Sequence, residues 1–321
     1  MTTRLYTHDA FEQHRPPTGH PERSQRLVAL REALEHQDFE KLERIDAPLG
    51  DLAPFARVHP AEFVDEIELA CRQVQEAGAD DEDAMGAIDA DTVISPGSGQ
   101  ALHRLIGALT DAIDGVFSKD TANAFIAARP PGHHAEKTTA MGFCLLNGVA
   151  AAARYAQDKH GAERVAVVDW DVHHGNGTQD IFWDDDSVQF LSTHQMPLFP
   201  GSGALREEGG DRAMGLTINA PLAPGDGTDR FREAFETRIL PPLRDFAPDL
   251  ILISAGFDAH HRDPLGGLKL AEDDFDWATG KLLDVADAKC EGRIVSLLEG
   301  GYDLEGLAQS AAAHIRRLMT A

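Results

Sequence analysis

Four segments of this chain run apolar and then turn abruptly polar, and that pattern constrains the fold more than any other feature. They are RVAVVDWD (164–171), SVQFLSTH (187–194), LILISAGFD (250–258) and RIVSLLEGGYD (293–303). A continuous apolar run of this length marks a strand buried on both faces, as in a parallel sheet. Helical segments at 228–240 and 272–288 separate the later runs. The alternation predicts an α/β fold, a doubly wound sheet with helices on both faces. Further helices are predicted from Pro60 to Ala77, Gly99 to Ser118 and Leu145 to Ala156, and after Pro21, where Leu27, Leu30 and Leu34 recur at helical spacing. Residues 2–6 read as a short edge strand, 124–128 as a short apolar run, and ADDEDAMGAIDADT as an acidic surface loop near an opening. A chain of 321 residues without internal repeats fits a single domain, 1–321.

In open parallel sheets, ligands bind just beyond the carboxyl ends of the strands. The polar residues that end the four runs are therefore candidates to meet in one site. Asp171 and His173 lie two apart in VVDWDVHHGNG. If the strand stays extended through them, they point the same way, because its side-chain period is two. Gly175 and Gly177 let the backbone turn tightly after them. Asp258, at the end of another run, is the candidate third ligand. Two carboxylates and one imidazole suit zinc or a similar first-row ion, and three protein ligands leave a position for water or substrate.

RPPGHHAEKTTAMGFCLLNG (129–148) places His133 and His134 after a rigid Pro-Pro-Gly turn and between apolar stretches. A histidine acting as acid or base needs a partner on its second nitrogen, and Asp169 and Asn176 are both available. A carboxylate partner keeps the ring cationic, whereas an amide leaves it a better base near neutrality. Tyr302, beside two glycines in GGYD, is a candidate donor to a developing oxyanion.

Composition narrows the partners. The sequence holds 29 lysines and arginines against 54 aspartates and glutamates, for a formal net charge of −25. So acidic a surface repels phosphate backbones and anionic membranes and attracts cationic partners. Cys71, Cys144 and Cys290 are isolated, which gives no disulfide framework and no paired-cysteine metal site. With no apolar leader at the N-terminus and no run of roughly 18 apolar residues, a cytoplasmic protein is expected. Homo-oligomerisation is left open.

With these residues in view, the chain resembles the histone deacetylase superfamily, in the branch of bacterial class II-like histone deacetylases and acetylpolyamine amidohydrolases. The matching stretches are RPPGHHAE, MGFCLLNGVAAAARYA, VVDWDVHHGNGTQDIFW, LSTH, FPGSG, GLTIN, ILISAGFDAHHRDPLGG and LEGGYD, in family order from about residue 18 to 310. The resemblance implies an arginase-like fold with a mainly parallel sheet of eight strands. It implies a Zn2+-dependent hydrolase acting on an acylated amine, with Asp171, His173 and Asp258 as zinc ligands. His134 would be the general base and acid, oriented by Asn176. His133, paired with Asp169, would be an electrostatic partner, and Tyr302 would donate to the acyl oxygen. Gly142, Phe143, Phe199 and Leu265 would line a narrow substrate channel. The resemblance also implies K+ bound by Asp169, Asp171, His173, Ser192 and Thr193, and an outer cation site around Phe182, Asp185 and Val188. Polyamine-specific relatives place a glutamate where this chain has Leu265. Acylated lysine in peptides or proteins is therefore the first expectation for substrate, and acetylated polyamines or other small acylated amines the second.

Overall fold

The computed structural model describes residues 2–81 and 84–321. Eight strands form one sheet: β1 (Thr3–Thr7), β2 (Glu43–Asp46), β3 (Asn123–Ile126), β4 (Val165–Asp169), β5 (Val188–Gln195), β6 (Thr217–Leu222), β7 (Leu250–Ala255) and β8 (Ile294–Leu298). Their spatial order is β2-β1-β3-β8-β7-β4-β5-β6, and every neighbouring pair is parallel. The fold is thus an α/β, arginase/deacetylase-like one. Helix Ser98–Ser118 packs on helix Gly148–His160, while Leu304–Leu318 packs on both Glu272–Lys289 and Gln25–Ala33. The core between sheet and helices is aliphatic and aromatic, and every residue of β4, β5, β7 and β8 is buried.

All eight strands end on the same edge of the sheet, so the polar residues that follow β4, β7 and β8 arrive together. The register aligns Asp169 at the end of β4 with Ser192 of β5 and Ser254 of β7. Local signals place the helices around this edge. Asn147 caps helix Gly148–His160 by accepting from the Ala150 amide, and Asp303 caps helix Leu304–Leu318 by accepting from Gly306.

Several expectations need correction. β1 is not an edge strand; it lies between β2 and β3, and β2 forms the edge. The strand runs are shorter than their sequences suggested, because the polar residues after 169, 255 and 298 are loop. Asp171 and His173 therefore do not sit on extended strand. The helix after Pro21 begins only at Gln25, the one expected at Leu145 begins at Gly148, and the segment at 228–240 continues to Phe246 with a wider π turn at Phe235–Ile239. Gly86–Ala87 of the acidic loop pair with Val93–Ile94, just after it, as a small antiparallel ribbon; Glu82 and Asp83 lie outside the described residues.

Candidate metal centre and substrate channel

The loop after β4 bends so that the Asp171 carboxylate caps its own turn: Oδ1 accepts from the His173 amide at 2.9 Å. His173 Nδ1 then lies 3.1 Å from Asp171 Oδ1 and 3.2 Å from Asp258 Oδ2. The candidate ligand atoms of Asp171, His173 and Asp258 fall within 4.8 Å of one another, and all three residues are buried. This convergence was expected from a strand period of two; it comes instead from a loop whose carboxylate folds back on its own backbone. Two further amides hold the carboxylates, Gly300 N–H to Asp171 Oδ2 at 2.8 Å and Val172 N–H to Asp258 Oδ1 at 2.7 Å.

The cradle is open because two glycines line it. A Cβ at Gly300 would overlap the carboxylates of both Asp258 and Asp171, and one at Gly256 would overlap Asp171. Two carboxylates and an imidazole nitrogen, converging with no side chain between them, fit a divalent first-row ion. The electrostatics agree. Burial and the Asp171 charge push the Asp258 carboxyl up to about 7. Burial opposes ionisation of Asp171 too, yet His133 and His173 hold its carboxyl below the usual range. Burial would lower His173, but the two carboxylates raise it to about 10. Like charges packed this closely are ready to exchange a proton for a metal cation.

The two adjacent histidines divide their partners. His133 Nδ1 lies 2.9 Å from Asp169 Oδ2, and His134 Nδ1 lies 2.8 Å from Asn176 Oδ1. Burial disfavours a charged His133, but Asp169 and Asp171 outweigh it and hold the ring up at about 10. For His134, burial and then the neighbouring His133 and His173 push the pKa well below the ordinary histidine value. The surroundings thus favour the charged form of the first ring and the neutral form of the second. Asn176 also donates to Glu136 Oε1 at 2.7 Å, which orients its amide with the oxygen toward His134.

A cavity of about 270 Å³ leads to these groups, lined by His134, Gly142, Phe143, Phe199, Leu265 and Tyr302 together with Asp91, His173 and Leu198. One wall is a tight turn. Met141 and Cys144 exchange both backbone hydrogen bonds, and Gly142 and Phe143 between them have φ of 57° and 67°. Two left-handed residues define a type I′ turn, an unfavourable conformation for phenylalanine. The Phe143 amide is anchored by the Thr92 hydroxyl at 3.1 Å. A Cβ at Gly142 would run into the His134 ring. Phe143 meets the Tyr302 ring edge-on at 5.8 Å, and Phe199 meets His134 edge-on at 5.1 Å. Burial pushes the Tyr302 phenol well above its ordinary pKa, so it remains a proton donor.

The structure therefore gathers every residue expected at the metal, the acid–base pair and the channel. Of the expected cation ligands, Asp169 accepts from the Asp171 amide at 3.0 Å, and Ser192 bonds His194 at 2.9 Å. The Thr193 hydroxyl is buried and has no hydrogen-bond partner among the described residues. At the outer position, Asp185 engages Arg154 and Ser187 through its side chain. Sequence reading missed Glu299, a fully buried carboxylate that accepts from the amides of Gly132 and His133 at 2.7 and 3.2 Å. Its signal was present in LEGGYD, a charged residue directly after an apolar strand.

Residues 20–318 match the histone deacetylase domain. The chain is 37% identical to a probable deacetylase of Archaeoglobus fulgidus over 309 residues, 95% of this chain and 83% of that one. It is 38% identical to a histone deacetylase-like amidohydrolase of Pseudomonas aeruginosa over 291 residues, 89% of this chain and 74% of the relative. The crystal structure of the HDA15 HD domain superposes with a TM-score of 0.91 at 34% identity, covering 99% of this chain and 88% of that one.

Proposed function

The chain belongs to the histone deacetylase family, and on that premise we propose that it is a zinc-dependent hydrolase removing acetyl groups from lysine side chains in peptides or proteins. We take the whole chain, 1–321, as one catalytic domain, and the cytoplasm as its compartment. The observation that carries the reading is the convergence of Asp171, His173 and Asp258 at the foot of a channel also lined by His134 and Tyr302.

Asp171, His173 and Asp258 would hold the zinc, which would supply Lewis-acid polarisation of an acyl carbonyl and acidify water. The protein does the rest. His134, its Nδ1 held by Asn176, takes a proton from the attacking water through Nε2 and later returns it to the leaving amine. His133 stays charged beside Asp169 and keeps His134 from holding a proton prematurely. The Tyr302 hydroxyl donates to the oxyanion as it forms. Phe143, Phe199 and Leu265 embrace the methylene stem and exclude water from the reacting amide. A potassium ion, which the side chains of Asp169 and Ser192 and the carbonyls of Asp169, Asp171, His173 and Thr193 would hold, belongs to the same proposal.

Leu265 supports the lysine reading, since an apolar side chain on the channel wall offers a distal ammonium nothing. Asp91 on that wall can accept peptide amides or meet a cation, so acetylated polyamines and other small acylated amines are the second reading. A two-metal ureohydrolase is disfavoured, because the described residues hold one metal-ligating cluster. The test is acetate release from an acetyl-lysine peptide compared with acetylated polyamines. Activity should favour the peptide, vanish on chelation and in Asp258→Asn, and return to the wild-type protein with zinc. Full activity after metal removal defeats the mechanism.

A further inference from the structure

Three charged side chains, Glu22, Arg26 and Arg129, are completely buried, and none of them lines the substrate cavity. Glu22 is their junction. Arg129 grips it through Nε, and through Nη2 at 2.7 Å from Oε2. Arg26 Nη1 lies 3.0 Å from Oε1, and His14 Nε2 lies 3.4 Å from Oε2.

The two arginines lead to different halves of the active site. Arg26 Nε donates to the Gly301 carbonyl at 2.6 Å, Nη2 donates to the Glu299 carbonyl, and the guanidinium sits 5.0 Å from the centre of the Tyr302 ring. It therefore holds both the loop and the ring of the oxyanion donor. Arg129 begins the Arg-Pro-Pro-Gly segment that delivers His133 and His134, and its Nη1 is pinned to the carbonyls of Phe11 and His14 at 2.9 and 3.1 Å. Glu299 closes the ring, because its carboxylate holds the Gly132 and His133 amides while its carbonyl is held by Arg26. Replacing a buried ion cluster by apolar groups is often neutral for stability, so stability alone does not account for this one.

We propose that Glu22 is a positioning residue that couples the base-bearing loop, through Arg129, to the Tyr302 loop, through Arg26. Base and oxyanion donor are thereby held at one mutual spacing. None of these three residues lines the channel. The inference rests on the proposed hydrolase reading for the roles of His134 and Tyr302, but its structural half does not.

Glu22→Gln keeps the shape of the side chain and removes the charge that both arginines share. In the folded, zinc-loaded variant, amide hydrogen exchange should accelerate in both 132–135 and 300–303 while 171–173 stays at the wild-type rate. kcat should fall about tenfold or more with KM within about twofold, since a misplacement of about an ångström can cost two orders of magnitude in rate. Tyr302→Phe should also cost less in the Glu22→Gln background than in wild type, because a donor already out of place has less to lose. Acceleration in neither loop or in only one, an unchanged kcat, or an undiminished Tyr302→Phe factor overturns the coupling. Arg129→Lys keeps the charge and loses the paired contact. If Glu22→Gln does not fold, the same two loops should loosen in Arg129→Lys, and their staying at the wild-type rate refutes the proposal. Wild-type protein that hydrolyses no acylated amine would defeat the hydrolase reading instead, leaving the exchange result to judge the coupling.

Discussion

Removing one oxygen atom, in Tyr302→Phe, separates catalysis from folding more cleanly than any other change in this site. The aromatic ring is held by contacts that phenylalanine keeps: the Arg26 guanidinium 5.0 Å from its centre and the Phe143 edge at 5.8 Å. The backbone is held separately, by the Asp263 carboxylate accepting from the Tyr302 amide at 2.6 Å. Among the described residues the hydroxyl has no hydrogen-bond partner, so its removal orphans nothing. A change of this kind should alter stability by no more than about 0.5 kcal/mol, which moves Tm by about 1 °C or less at this size. The barrier should respond differently. A donor aimed at a developing oxyanion is typically worth about 2.7–4 kcal/mol, or two to three orders of magnitude in kcat. Because that bond strengthens in the transition state, the loss should appear in kcat with KM nearly unchanged. Steady-state acetate release across a range of acetyl-peptide concentrations, with a thermal melt of the same sample, gives both numbers. A kcat within about threefold of wild type, or a loss carried by KM alone, would refute the role given to this hydroxyl.

Three further outcomes follow from the geometry. Gly300→Ala puts a Cβ onto the carboxylates of Asp258 and Asp171; at about 1–3 kcal/mol for overpacking, zinc affinity should fall roughly 5- to 150-fold in a competition titration. Asn176→Asp gives His134 the kind of partner that His133 has, raising its pKa from a value now well below ordinary. A base works only when neutral, so the acid limb of kcat/KM should move to higher pH, and a profile that stays in place refutes His134 as the base. Against the cost of burial, the Asp171 and Asp258 carboxylates hold the His173 imidazole up at about 10, which favours its protonated form at neutral pH, but it must be neutral to bind an ion. Metal affinity should thus rise with pH, with proton release visible by calorimetry in buffers of different ionisation enthalpy; an affinity independent of pH would contradict this.

What could be read from the sequence divides along physical lines. β4 was legible because a strand buried on both faces has to be apolar throughout, and VAVVD is. β2 was not, because ERID is an edge strand of half-exposed and exposed side chains with no apolar signature. β6 carries Asn219 in its middle, whose side-chain nitrogen donates to Gln179 at 2.8 Å; a polar residue held by a distant partner breaks the pattern that would have marked a strand. At the candidate site, the three residues that converge and the histidine pair were singled out through motif resemblance, although the extended-strand argument for Asp171 and His173 was wrong in its geometry. Their convergence needs Gly300, 129 residues further on, to donate to Asp171.

The buried charges were the least legible part. Glu22 and Arg129 lie 107 residues apart, and Arg26 and the Gly301 carbonyl 275 apart. Read locally, each of these side chains is a charged residue at a helix start or a turn, where solvent exposure is the ordinary outcome. Hydropathy carries no signal for a charge whose burial is made tolerable by a partner elsewhere in the chain. The candidate ligand set has the same character, since Asp171, His173 and Asp258 are buried in contact with one another. A sequence pattern can therefore point to the segments that meet, but the energetic reason for their meeting belongs to pairs. Coupling between Glu22 and Tyr302 is accordingly a property to be measured on double variants, because neither residue alone contains it.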